Sequence, residues 1–412
     1  MRRQFKVFVT ARAFLPDQPP YHSPATRPAS SRLASALALS IAISATFLTV
    51  AGPASAAPTA FLAQFSAPGT FFASTVPANG DENPYGIVNV PRSIGKLVRG
   101  DTLVSNFNDG SNAQGTGTTI VQIPPTGSPN PVAQTFAQIN PSDLPGNCPG
   151  GVGLTTALTV LAGGFVVVGS LPVPQMGNSA GNPQAGCLIV LNSYGIPVGT
   201  WSGGDINGPW DMTSLQLPGF AELFVTNVLN GLVPGSTNVV NEGTVIRILV
   251  ATPPGLDPIM LGSTVIGTGF AEQLNAGAVV LGPTGVALGL NGALYVADTV
   301  NSRIAKIPFA ALRLAPVTGG GPTLTSGGSL NGPLGMTPAP NGDVITVNGG
   351  DGNAVETTPQ GTQIDSVEID PAVPGGATGD LFGLTIAPGN QGVLFVDDGN
   401  NTLDILGHDT GA

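Results

Sequence analysis

Apolar and polar positions follow one order again and again along this chain. A small or acidic turn residue precedes an apolar strand; a short turn follows; a second apolar strand then ends on Asp, Asn or Gly. The clearest copy reads Gly282-Pro283-Thr284-Gly285-Val286-Ala287-Leu288, then Ala293-Leu294-Tyr295-Val296-Ala297-Asp298, then Asn301-Ser302-Arg303-Ile304-Ala305-Lys306-Ile307. The turn residue falls at Gly86, Gly153, Asp211, Gly285, Gly335 and Gly383, at intervals of 48 to 74 residues. Second strands are expected at 102–106, 165–169, 223–227, 294–298, 344–348 and 394–398. Third strands are expected at 118–123, 187–192, 243–248, 302–307, 353–357 and 402–406. Short strands bounded by Gly, Pro, Asn and Asp, repeated about every 50 residues, predict a propeller or solenoid. Several strands are continuous apolar runs, which suits sheets covered on both faces. With 59 Gly and 39 Pro, long helices are disfavoured.

The segment Asn291 to Asp298 followed by Asn301-Ser302-Arg303-Ile304 resembles the repeat of the NHL family of six-bladed β-propellers. The resemblance spans roughly residues 60–408, is closest in the fourth copy, and weakens in the first three, which carry insertions. It implies an all-β propeller of six four-stranded blades. The last copy has three strands, so an N-terminal segment, Phe61-Leu62-Ala63-Gln64-Phe65, is expected to complete the final blade and close the ring. Arg303 and Lys306 occupy the family's repeat position on the third strand and are expected at the surface.

Residues 1–56 read as an export signal. Arg2, Arg3, Lys6, Arg12, Arg27 and Arg32 make a basic start, 33–51 is uncharged and mostly apolar, and Ala54-Ser55-Ala56 is a cleavage pattern. A retained anchor is the alternative, since 19 residues can just span a bilayer. Residues 57–412 are then one exported domain, periplasmic or extracellular and expected to be a monomer. That domain has 7 Lys+Arg against 23 Asp+Glu, a net charge of −16. So acidic a chain disfavours nucleic acid and anionic membrane as partners. Export also makes a disulfide between Cys148 and Cys187 the expectation. In a propeller register both cysteines fall on the rim where first strands begin and second strands end.

The same rim gathers the second-strand ends Asn106, Gly169, Asn227, Asp298, Asn348 and Asp398 into one column. It also carries long insertions, 107–117, 170–186 and 228–242, in blades one to three only. Asp and Asn at strand ends commonly shape turns by bonding backbone N–H groups. The alternative is a cation site, because oxygen ligands of this kind suit Ca²⁺ or another divalent ion; metal-bearing relatives among six-bladed propellers, the gluconolactonase-like group, imply such an ion at the channel mouth. Candidate ligands are Asp298 and Asp398, with Asp109, Asp211 and Asp351 close by in sequence and Glu242 in the third insertion. Trp201 and Trp210 flank a Gly-Gly-Asp turn and either stack on a ligand or wedge blades together.

Other chemistry is sparse. The histidines are His22, inside the export segment, and His408, which disfavours a histidine triad, a His₃ zinc site and a histidine-based lyase. There is no nucleotide-binding glycine loop, and Gly349 to Asn353 lacks the downstream Glu of a Ca²⁺-binding hand. Three functions fit: a non-catalytic scaffold binding a protein or small molecule through the loops of blades one to three; a divalent-metal lactonase or lyase with its site at the channel mouth; and a structural envelope protein.

Overall fold

The computed structural model describes residues 59–408 apart from 67, 126–127, 129–130, 177–178 and 372–379. The export segment lies outside the described residues. Within them, no helix is long and apolar enough to cross a membrane.

Six antiparallel sheets form a closed six-bladed β-propeller. Inner, second, third and outer strands of blade one are Glu82–Asn89, Thr102–Asn108, Thr119–Ile123 and Gln134–Gln138. Those of blade two are Leu154–Leu161, Phe165–Ser170, Cys187–Leu191 and Pro197–Trp201. Blade three has Gly208–Leu217, Phe220–Val228, Val240–Ala251 and Ile259–Asn275. Blade four has Pro283–Leu288, Leu294–Asp298, Arg303–Ile307 and Thr323–Ser326, and blade five Pro333–Pro338, Val344–Asn348, Asn353–Thr357 and Gln363–Glu368. Blade six takes Leu381–Ile386, Gly392–Asp397 and Thr402–Gly407 from the end of the chain and its outer strand, Thr70–Ser74, from the beginning.

Ring closure by the N-terminal region is therefore as expected, but the closing strand is Thr70–Ser74 rather than residues 61–65. The latter form a single helical turn, Leu62–Gln64. The Phe61 and Leu62 N–H groups donate to the buried Glu356 carboxylate at 2.9 and 2.8 Å, and Leu62 enters the core between blades five and six. An outer strand is open to solvent on one side, as the exposed Phe71 shows. Burying Leu62 completely is the better use of the more apolar segment.

The repeated glycines have a packing cause. Gly86, Gly285, Gly335 and Gly383 stand where the inner strand of one blade meets the next; Gly153 precedes its strand, and the register puts Thr156 at the matching position. A Cβ on Gly285 would strike the Leu334 carbonyl of blade five; on Gly335, the Phe382 carbonyl of blade six; on Gly383, the Tyr85 carbonyl of blade one. At these four positions the blades meet on backbone contacts that only glycine allows, while Thr156 and Asp211 take the place in blades two and three. Second strands such as Thr102–Asn108, Leu294–Asp298 and Val344–Asn348 are buried along their whole length, which accounts for their lack of a regular apolar–polar alternation.

Blade three departs from the expected four strands. Its outer strand runs on for 17 residues and folds back through Val279–Leu281 as a fifth, with Gln273 opposite Leu281. This hairpin reaches over the end of the ring axis, on the face where inner strands begin. We call that the loop face and its opposite the turn face.

Candidate functional site

Six inner strands surround a central cavity of about 210 Å³. Towards the loop face the axis is blocked by an aromatic stack drawn from the inner strands of blades one, three and six and the second strand of blade one. The Tyr85 ring stacks on Phe382 at 3.8 Å and on Phe107 at 4.5 Å, and Trp210 lies 6.0 Å from Phe382. Val280 of the hairpin caps the stack and accepts a hydrogen bond from Trp210 Nε1. Trp210 is thus a core residue, 2 % exposed, and not a ligand platform. Trp201 ends the outer strand of blade two and packs between blades two and three, so it is a wedge as well.

The strand-end column has a structural job. Asn106 Nδ2 donates to the Thr75 carbonyl, Asn227 Oδ1 accepts from the Asn207 N–H, and Asn348 Nδ2 donates to the Ser329 carbonyl. Each ties down the connection entering its own blade. Pairing corrects the column by one residue in two blades. Leu154 faces Ser170, not Gly169, and Leu381 faces Asp397, not Asp398. Ser170 does what the asparagines do, accepting from the Gly153 N–H and donating to the Gly151 carbonyl.

Most of the acids proposed as ligands are engaged. Asp298 is buried and meets Arg303 Nε at 2.7 Å and Asn301 Nδ2 at 3.0 Å. Arg303 is accordingly held in an ion pair, only 13 % exposed, rather than free at the surface. Asp351 accepts from Asn348 Nδ2 and the Asn353 N–H, a turn arrangement. Asp109 is turned inward on its own loop; burial pushes its carboxyl up, but bonds from Ser111 and Ala113 outweigh that and leave it below its ordinary value. Asp211 staples blade three to blade four, accepting from the Met212 N–H at 2.7 Å and the Val286 N–H at 2.9 Å. Complete burial pushes it up to about 7. Glu242, expected in the third insertion, lies instead at the start of the strand Val240–Ala251, with its carboxylate beside Gly231.

Asp398 is different. Its side chain leaves the column and meets Asp380 and Asp397, with one oxygen from each of the three within 4.8 Å of the others. Burial first, then the charges of Asp380 and Asp397, push Asp398 up to about 8. Its Oδ1 is buried without a hydrogen-bond partner. Asp397 is held by the Asn400 N–H and Nδ2. The cluster opens into a cleft of about 360 Å³ walled by Asn275 and Gly277 of the hairpin, Gly349 and Gly350 of blade five, and Phe382. Three oxygen donors with a like-charge penalty suit a hard divalent cation. Sequence reading found Asp398 and missed Asp380, whose connection carries no repeat signal.

On the other side of the hairpin tip the insertions of blades one to three converge. Gln114 Nε2 donates to the Ala276 and Gly277 carbonyls, Gln175 Nε2 to the Gln114 carbonyl, and the Gly235 N–H to Asn182 Oδ1. They enclose a cleft of about 330 Å³ in which Gln114, Asn182, Thr237 and Asn275 mix with Val173, Leu274 and Val279, with no charged residue. The disulfide Cys148–Cys187, with Cα atoms 5.2 Å apart, fixes the base of the second insertion to the connection entering blade two. Among the described residues no free cysteine remains.

No protein-family model and no curated protein matches this sequence. Solved structures do match. A gluconolactonase from Xanthomonas campestris shares 12% identity over 80% of this chain and 87% of its own, with a TM-score of 0.46. A catalytically inactive virginiamycin B lyase from Staphylococcus aureus, with quinupristin, shares 12% over 83% and 99%, at 0.42. Regucalcin from Agrobacterium tumefaciens, a calcium-binding protein, shares 12% over 82% and 94%, at 0.46. The chain is a closed six-bladed β-propeller similar in outline to these proteins, and its function has to be argued from its own residues.

Proposed function

We propose that this protein is a binding propeller whose ligand seats in the cleft between the insertions of blades one to three and the blade-three hairpin. The observation that supports it most is the mutual bonding of three separate insertions around one concavity, while the column beneath them is occupied with holding the fold. Binding residues commonly lie on loops fixed by a rigid scaffold. The cleft lining lacks charge and alternates amide and hydroxyl groups with aliphatic ones. That chemistry fits a neutral ligand with one hydrogen-bonding and one apolar face, such as a sugar or an uncharged peptide segment. Titration of neutral oligosaccharides and peptides by saturation-transfer NMR tests it. Binding that survives Gln114→Ala with Asn182→Ala counts against this cleft.

A second reading rests on the three aspartates. A divalent cation held by Asp380, Asp397 and Asp398 would remove their mutual repulsion and could polarise a ligand carbonyl in the neighbouring cleft, which is the chemistry a lactonase or lyase of this shape would need. Metal analysis of protein purified without chelator, with anomalous scattering to place any ion, decides between an ion here and none.

A further inference from the structure

The central cavity is a well with one open end. Its floor is the layer where the blades meet: Gly335 and Gly383 lie there with Thr156 and Asp211, all buried. Trp210 and Phe382 of the aromatic stack each precede a residue of this layer and close the loop-face side. Towards the turn face the lining residues come into the open. Val88, Thr213, Ser214 and Thr385 are half-buried and Pro338 is exposed. The well therefore opens on the face opposite the insertions, away from their cleft and from the three aspartates.

The floor has polar side chains on one side only. Where four blades carry glycine, the adjacent blades two and three present Thr156 and Asp211. Thr156 is 4 % exposed and its hydroxyl is buried without a hydrogen-bond partner. The Asp211 carboxylate is held from both sides, Oδ1 by the Met212 N–H and Oδ2 by the Val286 N–H. These bonds fix its orientation and leave each oxygen a free lone pair. Asp211 is the one titratable group lining the well. The inner strands on either side, Leu154–Leu161 and Pro283–Leu288, carry no charged residue, and Glu222 on the adjacent second strand sits against Arg247. Burial outweighs the two N–H bonds and pushes Asp211 up to about 7, because nothing in the well balances its charge.

The walls select among cations. A divalent ion takes six or more oxygen ligands, usually with several carboxylates among them, and here there is one carboxylate. A primary ammonium has three N–H donors, which one carboxylate and neighbouring hydroxyls can satisfy. Thr213, Thr337 and Thr385 bring hydroxyls to the wall, and Leu158 and Met336 bring apolar surface. A volume of about 210 Å³ admits a short chain and excludes an oligomer.

We infer that the well binds a small primary ammonium compound with a short hydroxyl-bearing chain, an amino alcohol in the simplest case. The ammonium sits on Asp211 and Thr156, and the chain runs along the wall towards the turn face. This site is independent of the cleft between the insertions, so either can fail without the other.

Calorimetric titration of the purified protein with 4-aminobutan-1-ol tests it, with butane-1,4-diol as the uncharged compound of the same length. The amine should bind once per chain at pH 8, and the diol roughly tenfold or more weakly. Affinity for the amine should fall about tenfold from pH 8 to pH 6, as Asp211 takes up its proton while the amine stays charged. Asp211→Asn should weaken binding by a similar factor, about tenfold or more. Because that change also disturbs a staple between blades, Thr213→Leu with Thr337→Leu is the second variant; it fills the well, leaves both N–H bonds of Asp211 in place, and should weaken binding as much. Asp398→Asn and Gln114→Ala should leave the affinity unchanged. Absence of binding at pH 8, a diol that binds as tightly as the amine, full affinity in the Thr213/Thr337 variant, or loss of binding in Asp398→Asn would each overturn the inference.

Discussion

The indole N–H of Trp210 donates to the Val280 carbonyl at 3.0 Å, fastening the tip of the blade-three hairpin to the ring axis. Both partners are buried, so the carbonyl has no water to fall back on. Trp210→Phe keeps most of the ring stack and removes the bond, at a cost of about 1–3 kcal/mol. The hairpin tip at Asn275 to Gly277 should then become the first site of limited proteolysis. If cleavage there is unchanged, the hairpin is held by something else.

Removing the Cys148–Cys187 bridge releases a loop spanning 39 residues. The chain-entropy relation gives a loss of about 4 kcal/mol. Cys148→Ser with Cys187→Ser should lower the denaturation midpoint accordingly, and the second insertion should lose hydrogen-exchange protection before the blades do.

Glu272 is fully buried near Glu242, and burial, then that charge, push its carboxyl up to about 8 from an ordinary 4.5. The folded protein therefore holds a proton there that the unfolded chain has released, and stability falls as pH rises from about 4.5 to about 8. Glu272→Gln should remove that decline. The variant should gain on wild type steadily across this window and differ little near pH 4, as measured by urea midpoints. Parallel curves for the two proteins would contradict it.

Asp298, in the strand-end column, and Asp398, one residue beyond it, should behave in opposite ways. Asp298→Ala strands the Arg303 guanidinium in a nearly buried place and should cost about 3–5 kcal/mol. Asp398→Asn relieves a clash of like charges, so in chelator the variant should match or exceed wild-type stability. Heating with and without Ca²⁺ extends the comparison: any Ca²⁺ stabilisation in wild type should vanish in Asp398→Asn.

The glycine ring makes a blunter prediction. Gly335→Ala drives a methyl group into the Phe382 carbonyl of the next blade, a backbone group that cannot swing aside. The protein should fail to fold or should lose about 3 kcal/mol, the upper end for overpacking, because the atom struck is backbone; Gly203→Ala, in an open turn with nothing near its added methyl, should cost far less, limited to the strain of φ 74°.

Much of this architecture is legible in the residues. The spaced glycines, the Asp and Asn strand ends, the insertions confined to blades one to three and the pairing of the two cysteines all carry local signals. What escapes is of three kinds. Strands buried on both faces lack alternation, so nothing in the apolar runs Phe165 to Ser170 or Gly392 to Asp397 fixes which residue faces which, and the register slips by one at Gly169 and Asp398. Whether Phe61 to Phe65 or Thr70 to Ser74 closes the ring depends on a distant carboxylate, Glu356. The aspartate cluster needs Asp380, which only the folded ring brings beside Asp397 and Asp398.

The closing sheet takes its outer strand from one end of the chain and its other three from the far end, and the Ser66 N–H donates to the Gly407 carbonyl at 3.1 Å. A circularly permuted gene, with these two ends linked and new ones opened at the exposed Gly235 turn, should still encode a complete ring. In the native order blade six can finish only after the last strand has been synthesised, so a ribosome-bound nascent chain would carry Thr70 to Ser74 unpaired until translation is nearly over.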